Sequence, residues 1–205
     1  MFLRIDIDHP YSGQFQNYIS ILLSLSARKR LRFRNYLEDS KILCKLLNKY
    51  NATATWFPTI LVIPDRELMN LLNEGHHEIG CQFIWRESEI SKLERELGRE
   101  IRLYVIHGTG TRINKMIWRR FRHPTIKSRE IVKVGFDINF DKLCYGNSPH
   151  EILKRFKTLS PKTIIVTHPL YINHRSLLSK KGSTLEALSL LLENGIVFEK
   201  ITLES

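Results

Sequence analysis

Cysteine is scarce in this sequence and has no regular spacing. Cys44, Cys81 and Cys144 are far apart and odd in number, and no CxxC pair occurs. That excludes a disulfide framework and a zinc ribbon, and leaves buried free thiols in a reducing compartment as the expectation. Long hydrophobic runs are also missing. The apolar stretch Ile19 to Leu25 is far too short to span a bilayer. Asp6 and Asp8 interrupt any apolar region of the kind a signal peptide needs. No internal repeat, low-complexity tract or linker composition breaks the 205 residues. The expectation is one domain, residues 1–205, cytoplasmic and without a transmembrane segment.

What is present is enough apolar material for a core, 42% of residues, which argues against global disorder. Lys and Arg outnumber Asp and Glu by 32 to 21, for a formal charge of +11. Such an excess attracts anions, whether nucleic acid, acidic glycans or a membrane surface, and does not choose among them. The clusters Arg28-Lys29-Arg30-Arg32-Arg34 and Arg119-Arg120-Arg122 come with no RNA-binding signature. Clusters of this kind are more often solvated helix faces.

Along the chain, apolar strands alternate with helical segments. Phe2 to Ile7 (FLRIDI) alternates as a strand with one buried face does, and Ala52 to Phe57 reads as a second strand. Short strands follow at His77 to Cys81, Ile101 to Ile106, Phe136 to Phe140, Thr163 to Thr167 and Ile196 to Ile201. Helical spacing covers Tyr36 to Lys49, Arg66 to Asn73, Glu87 to Leu97, Ile113 to Phe121, Ser128 to Val134, Pro149 to Phe156 and Thr184 to Glu193. Strands and helices in alternation predict an α/β fold with a mostly parallel sheet or barrel.

Three strands end on titratable residues. IDIDHP ends in Asp8-His9, LYVIHG in His107 and IIVTHP in His168. Parallel sheets put functional groups at the carboxyl ends of their strands, so one site assembled from distant segments is expected there. Asp6 and Asp8, two residues apart on a strand, share a face. Two neighbouring carboxylates tend to divide their roles, one holding a cation and the other taking up protons. A pair of acids neutralised by arginines is the plainer alternative.

With those motifs in place, the sequence resembles the polysaccharide deacetylases, the NodB-homology group of carbohydrate esterases (family 4). IDIDHP is similar to the family's first aspartate motif, and Leu46 to Pro58 to its second-strand segment. LLNEGHHEIG, from Leu71 to Gly80, resembles the G-H-E-I-G segment and is the most specific match. FRHP from Phe121 to Pro124 resembles the arginine-proline motif, GFDINFD from Gly135 to Asp141 a glycine-aromatic strand with a further aspartate, and TIIVTHP the closing histidine motif.

The resemblance implies a distorted (β/α) barrel and hydrolysis of a non-peptide carbon–nitrogen bond, the N-deacylation of a sugar or small amide, assisted by a divalent, zinc-like metal. Asp6 resembles the general base, Asp8 the metal-binding aspartate and His168 the acid that protonates the leaving amine. Arg122 would orient the base, and Asp137 or Asp141 would tune the acid. Gln82 and Arg86 stand where the family carries metal-binding histidines. An amide oxygen is a poor substitute for imidazole, and a guanidinium is no ligand. His107 is a candidate replacement for one of them, and His76 or His77 for the other, although His77 matches a family histidine that is not a ligand. Thr125 replaces the usual aromatic of the arginine motif, while His107-Gly108, Asn114 and Trp118 are similar to a variant seen in divergent relatives. Two other functions stand beside the hydrolase: a degenerate member that binds a glycan or another ligand, and a basic nucleic-acid-binding protein.

Overall fold

Every strand pair among the described residues is parallel, as the alternation of elements predicts. The structure, a computed structural model, describes residues 1–7, 34–60, 62–83, 88–106, 131–169 and 184–202. In chain order the elements are β1 (Phe2–Ile7), α1 (Arg34–Lys49), β2 (Thr55–Pro58), α2 (Arg66–Glu74), β3 (Glu78–Ile79), β4 (Cys81–Phe83), α3 (Ser88–Leu97), β5 (Leu103–Ile106), β6 (Val132–Lys133), β7 (Ile138–Asn139), α4 (Phe140–Gly146), α5 (Pro149–Phe156), β8 (Ile164–Thr167) and α6 (Thr184–Glu193). The strands form one sheet in the order β3-β2-β1-β8-β7 and another in the order β4-β5-β6. None of the helices among the described residues is long and apolar enough to cross a membrane.

β1 lies at the centre, flanked by β2 on one side and β8 on the other. Its alternation predicts one buried face, yet Leu3 to Ile7 are all buried. Leu3, Ile5 and Ile7 join the larger core, where Trp56, Ile79 and Ile165 meet helix residues such as Leu43, Leu68, Phe156 and Leu191. Phe57, the neighbour of Asp6 across the ladder, packs instead with Leu103, Val105 and Val134 in an inner cluster. The polar face of β1 therefore turns into the barrel rather than toward water. In a sheet covered on both faces, polarity along a strand marks the inside and not the outside.

Gly80 hinges the two sheets between β3 and β4. A Cβ there would stand 2.3 Å from the Phe57 ring and 2.8 Å from the Leu103 carbonyl oxygen, so the close approach of β2 and β5 leaves room for glycine only. Helix ends follow local chemistry. Asp65 caps α2 by accepting from the Leu68 N–H at 2.9 Å. Ser148 and Glu151 form a capping box at α5, with Pro149 in its first turn. Lys41 of α1 joins Glu38, Asp65 and Glu67 at 2.9, 3.0 and 2.7 Å, and so clasps α1 to α2.

Four expected elements change, the first being the strand over His77 to Cys81, which breaks at Gly80 into β3 and β4 of separate sheets. Ser128 to Val134 was expected to be helical, but Val132–Lys133 form β6 and pair with Leu103 and Tyr104 of β5. The β-branched Ile131, Val132 and Val134 suit that ladder, and tertiary pairing overrides the helical spacing. The strand expected over Phe136 to Phe140 is only Ile138–Asn139, because Asn139 caps α4 by accepting from the Lys142 N–H. The last segment, Ile196 to Ile201, makes a single parallel bridge, Phe2 to Glu199, in place of a strand. The three thiols are free and buried, and burial raises both Cys44 and Cys144 to about 12, which leaves them unreactive.

His77 is buried at the amino end of β2. Its Nδ1 accepts from the Ala54 N–H at 3.0 Å, so Nε2 carries the proton and donates to Asn48 Oδ1 at 2.8 Å. The Asn48 amide is itself held by donation to the Leu71 carbonyl at 3.0 Å. Burial lowers the His77 pKa from 6.5 to about 4, with the nearby Lys200 and His76 charges acting the same way. Because the unfolded chain takes up this proton at higher pH than the folded one, His77 contributes stability above pH 6.5 that is lost as pH falls toward 4. His77→Gln is expected to remove that dependence. The stability difference between parent and variant, measured by urea unfolding, should narrow by roughly 3 kcal/mol across this window. Gly80→Ala should destabilise the fold by about 1–3 kcal/mol in the same assay.

Candidate active site

Asp6 is the last residue but one of β1, and His168 directly follows β8, the neighbouring strand. The register pairs Ile5 with Thr167, so the next residue of each strand, Asp6 and His168, stand level at the carboxyl ends. That placement is what a parallel barrel provides for a site drawn from distant segments. Asp6 is only 4% exposed and forms a two-pronged ion pair with Arg4. Arg4 Nε donates to Oδ1 at 2.7 Å and Nη2 to Oδ2 at 2.5 Å. The remaining nitrogen, Nη1, donates to the carbonyls of Val134 and Gly135, both at 3.1 Å. Phe57 and Phe136 lie against the guanidinium, with ring centroids 5.6 and 5.5 Å from Cζ.

His168 is held by Asp141, in the first turn of α4. Asp141 Oδ2 lies 2.6 Å from His168 Nδ1 and accepts from the His168 backbone N–H at 3.1 Å. Oδ1 accepts from the Thr167 hydroxyl at 2.7 Å. A carboxylate only accepts, so Nδ1 bears the proton, and Nε2 becomes the nitrogen that gains or releases the second one. This is the arrangement of a histidine oriented for proton transfer by an acidic partner.

The other residues singled out in the sequence divide clearly. Asp137 does not reach His168. Its Oδ2 accepts from the Ile164 N–H at 2.8 Å and its own N–H donates back to Ile164 O at 2.8 Å, at the far end of β8. Of the two aspartates offered for tuning the acid, Asp141 makes the contact. His77 lies at the amino end of β2 with both ring nitrogens engaged, by the Ala54 N–H and by Asn48 Oδ1. Gln82 is 2% exposed on β4 beside Val105, a residue of the inner cluster. Asp8, His107 and Arg122 lie outside the described residues.

Arg4 is the site residue that motif reading misses. A signal was available, since residues i and i+2 of a strand share a face and Arg4 therefore accompanies Asp6 wherever it points. Sequence gave no reason to expect that face to be buried. The plainer alternative of an acid neutralised by arginine is what Asp6 shows, but inside the barrel and not at the surface. Among the described residues, no group of three or more His, Cys, Asp or Glu stands close enough to hold a metal ion.

No protein-family model matches the sequence, and no curated protein matches it. Solved structures do match in fold. A family 4 carbohydrate esterase from Streptomyces lividans in complex with acetate superimposes with a TM-score of 0.54 at 12% identity, over 99% of this chain and 92% of its own. A CE4 family pseudoenzyme from Bacillus anthracis gives 0.53 at 14% identity over 98% of this chain, which spans 63% of that protein. A family 4 acetyl xylan esterase from Clostridium thermocellum in complex with a cobalt ion gives 0.50 at 15% identity, over 98% of this chain and 86% of its own. With a parallel barrel that carries Asp6 and His168 at its rim, this chain has the fold of the family 4 carbohydrate esterases, the polysaccharide deacetylases.

Proposed function

We propose that this protein is a divergent deacetylase-type hydrolase that cleaves a non-peptide carbon–nitrogen bond, the acyl amide of a sugar or other small molecule. The observation that carries the reading is the Asp141–His168 pair standing level with Asp6 on adjacent strands. In the reaction, Asp6 takes a proton from water as the water oxygen bonds to the carbonyl carbon. The carbon–nitrogen bond then breaks, and His168 gives its Nε2 proton to the departing nitrogen, leaving a carboxylic acid and an amine. A well-placed acid or base of this kind contributes on the order of 10²–10⁴ in rate.

The resemblance adds a divalent metal, with Asp8, His107 and Gln82 as its ligands. Of these three, Gln82 alone lies among the described residues, and its donor chemistry does not suit a zinc-type site. Gln82 brings a neutral amide where imidazole is needed. The proton transfers above are therefore derived from Asp6 and His168 alone. The same position favours a second reading, a member that keeps a carbohydrate cleft and has lost turnover. The described residues are close to charge-balanced, so the positive excess sits in the stretches outside them, and it supports an anionic partner of either kind without naming nucleic acid.

Acetate release from an N-acetylated chito-oligosaccharide tests the first reading. The parent is expected to turn over, and Asp6→Asn and His168→Ala to lose roughly 100-fold or more in kcat. Binding of the oligosaccharide with no acetate release from the parent would sink the hydrolase and leave the binding protein. For the metal, Gln82→His is expected to tighten zinc or cobalt binding at least about tenfold by calorimetry, since it restores an imidazole to the donor set.

A further inference from the structure

We infer that Arg4 is the positioning residue of the acid–base site: it sets the orientation of Asp6 from within the same strand and ties it to the connection between β6 and β7. The inference rests on the hydrolase reading for its kinetic consequence but on geometry for its substance. The resemblance gave the orienting task to Arg122, a residue some 120 positions away. Here the fork comes from two residues earlier on β1, and it engages both carboxylate oxygens at 2.7 and 2.5 Å.

Several features separate this arginine from an ordinary ion pair. Its side chain is 7% exposed and that of Asp6 5%, so the pair is screened little by solvent. A two-pronged fork fixes the plane of the carboxylate as well as its place. The remaining Nη1 bonds to the carbonyls of Val134 and Gly135, which stand between β6 and β7. Phe57 lies against the guanidinium from the inner core, and Phe136, 48% exposed, lies against it as well. With both ends anchored, the Asp6 carboxylate has one orientation, and its lone pairs outside the fork are those left for a water molecule. Lysine, a point charge on a flexible stem, reproduces the charge but not the plane.

The test combines kinetics with a spectroscopic readout on the full chain. If Arg4 acts through Asp6, Arg4→Gln lowers kcat for acetate release on the order of 100-fold in the parent and less than about twofold in an Asp6→Asn background, because coupled residues are not additive. Arg4→Lys should recover only part of the loss. Equal losses in both backgrounds would mean that Arg4 is merely structural and would overturn the inference. Independently of turnover, the Arg4 Nε–H resonance in ¹⁵N-labelled protein is expected to be shifted and protected from exchange, and to move in Asp6→Asn. An Arg4 signal that exchanges like a surface arginine and is unmoved in Asp6→Asn overturns the inference even where acetate is released. Should the parent release no acetate, the hydrolase reading fails while this resonance still decides Arg4. If Arg4→Gln does not fold, Arg4→Lys takes its place in the same double-variant comparison.

Discussion

The ion pair between Arg4 and Asp6 is the constraint around which this barrel is organised. Two charges withdrawn from water are costly, and the cost is met only where geometry is close to ideal and further hydrogen bonds complete the coordination. Both conditions hold. The fork takes both oxygens of the carboxylate, and two backbone carbonyls take the remaining nitrogen. Through Arg4 Nη1 the pair also ties β1 to the stretch after β6, at the Val134 and Gly135 carbonyls. Either partner alone would be a buried, uncompensated charge.

The second half of the site obeys a different logic. His168 owes its place to the end of β8, but its orientation to Asp141, which the turn from β7 into α4 brings across. Asn139 makes that turn possible by capping the helix one residue ahead of Phe140, whose ring anchors α4 in the core against Phe156. The aspartate thus reaches the histidine because a helix starts where the hydrophobic spacing alone reads as strand. One carboxylate is aligned by a cation from its own strand, and one imidazole is aligned by an anion from a neighbouring helix. The two sit level because β1 and β8 are paired in parallel.

Legibility in the sequence followed the reach of each interaction. α1, α2, α3, α5 and α6 were readable because capping residues and apolar spacing are local. Asp65, Pro149, Ser148 and Gly98 mark their ends in ways that need no partner. β1, β5 and β8 were readable as apolar stretches bounded by turns. β6 was not, since two residues gain strand geometry only through Leu103 and Tyr104. Likewise, the role of Gly80 depends on Phe57 and the Leu103 carbonyl, neither of which is near it in sequence. His77 matched a motif and is well placed, yet its partners Ala54 and Asn48 make it a bolt between β2 and α1, remote from the rim.

The sequence by itself determined the α/β alternation, the parallel sheet and the delivery of Asp6 and His168 to strand ends, because periodicity and turn chemistry are properties of neighbouring residues. Only the tertiary structure decided which way the polar face of β1 points, that Arg4 follows Asp6 inside, that Asp141 and not Asp137 meets His168, and that Gln82 is buried on the inner face. Those outcomes depend on strand register and on contacts between residues more than a hundred positions apart, such as Arg4 with Val134. No local pattern carries that information, since a side chain's partner is set by how the sheets close.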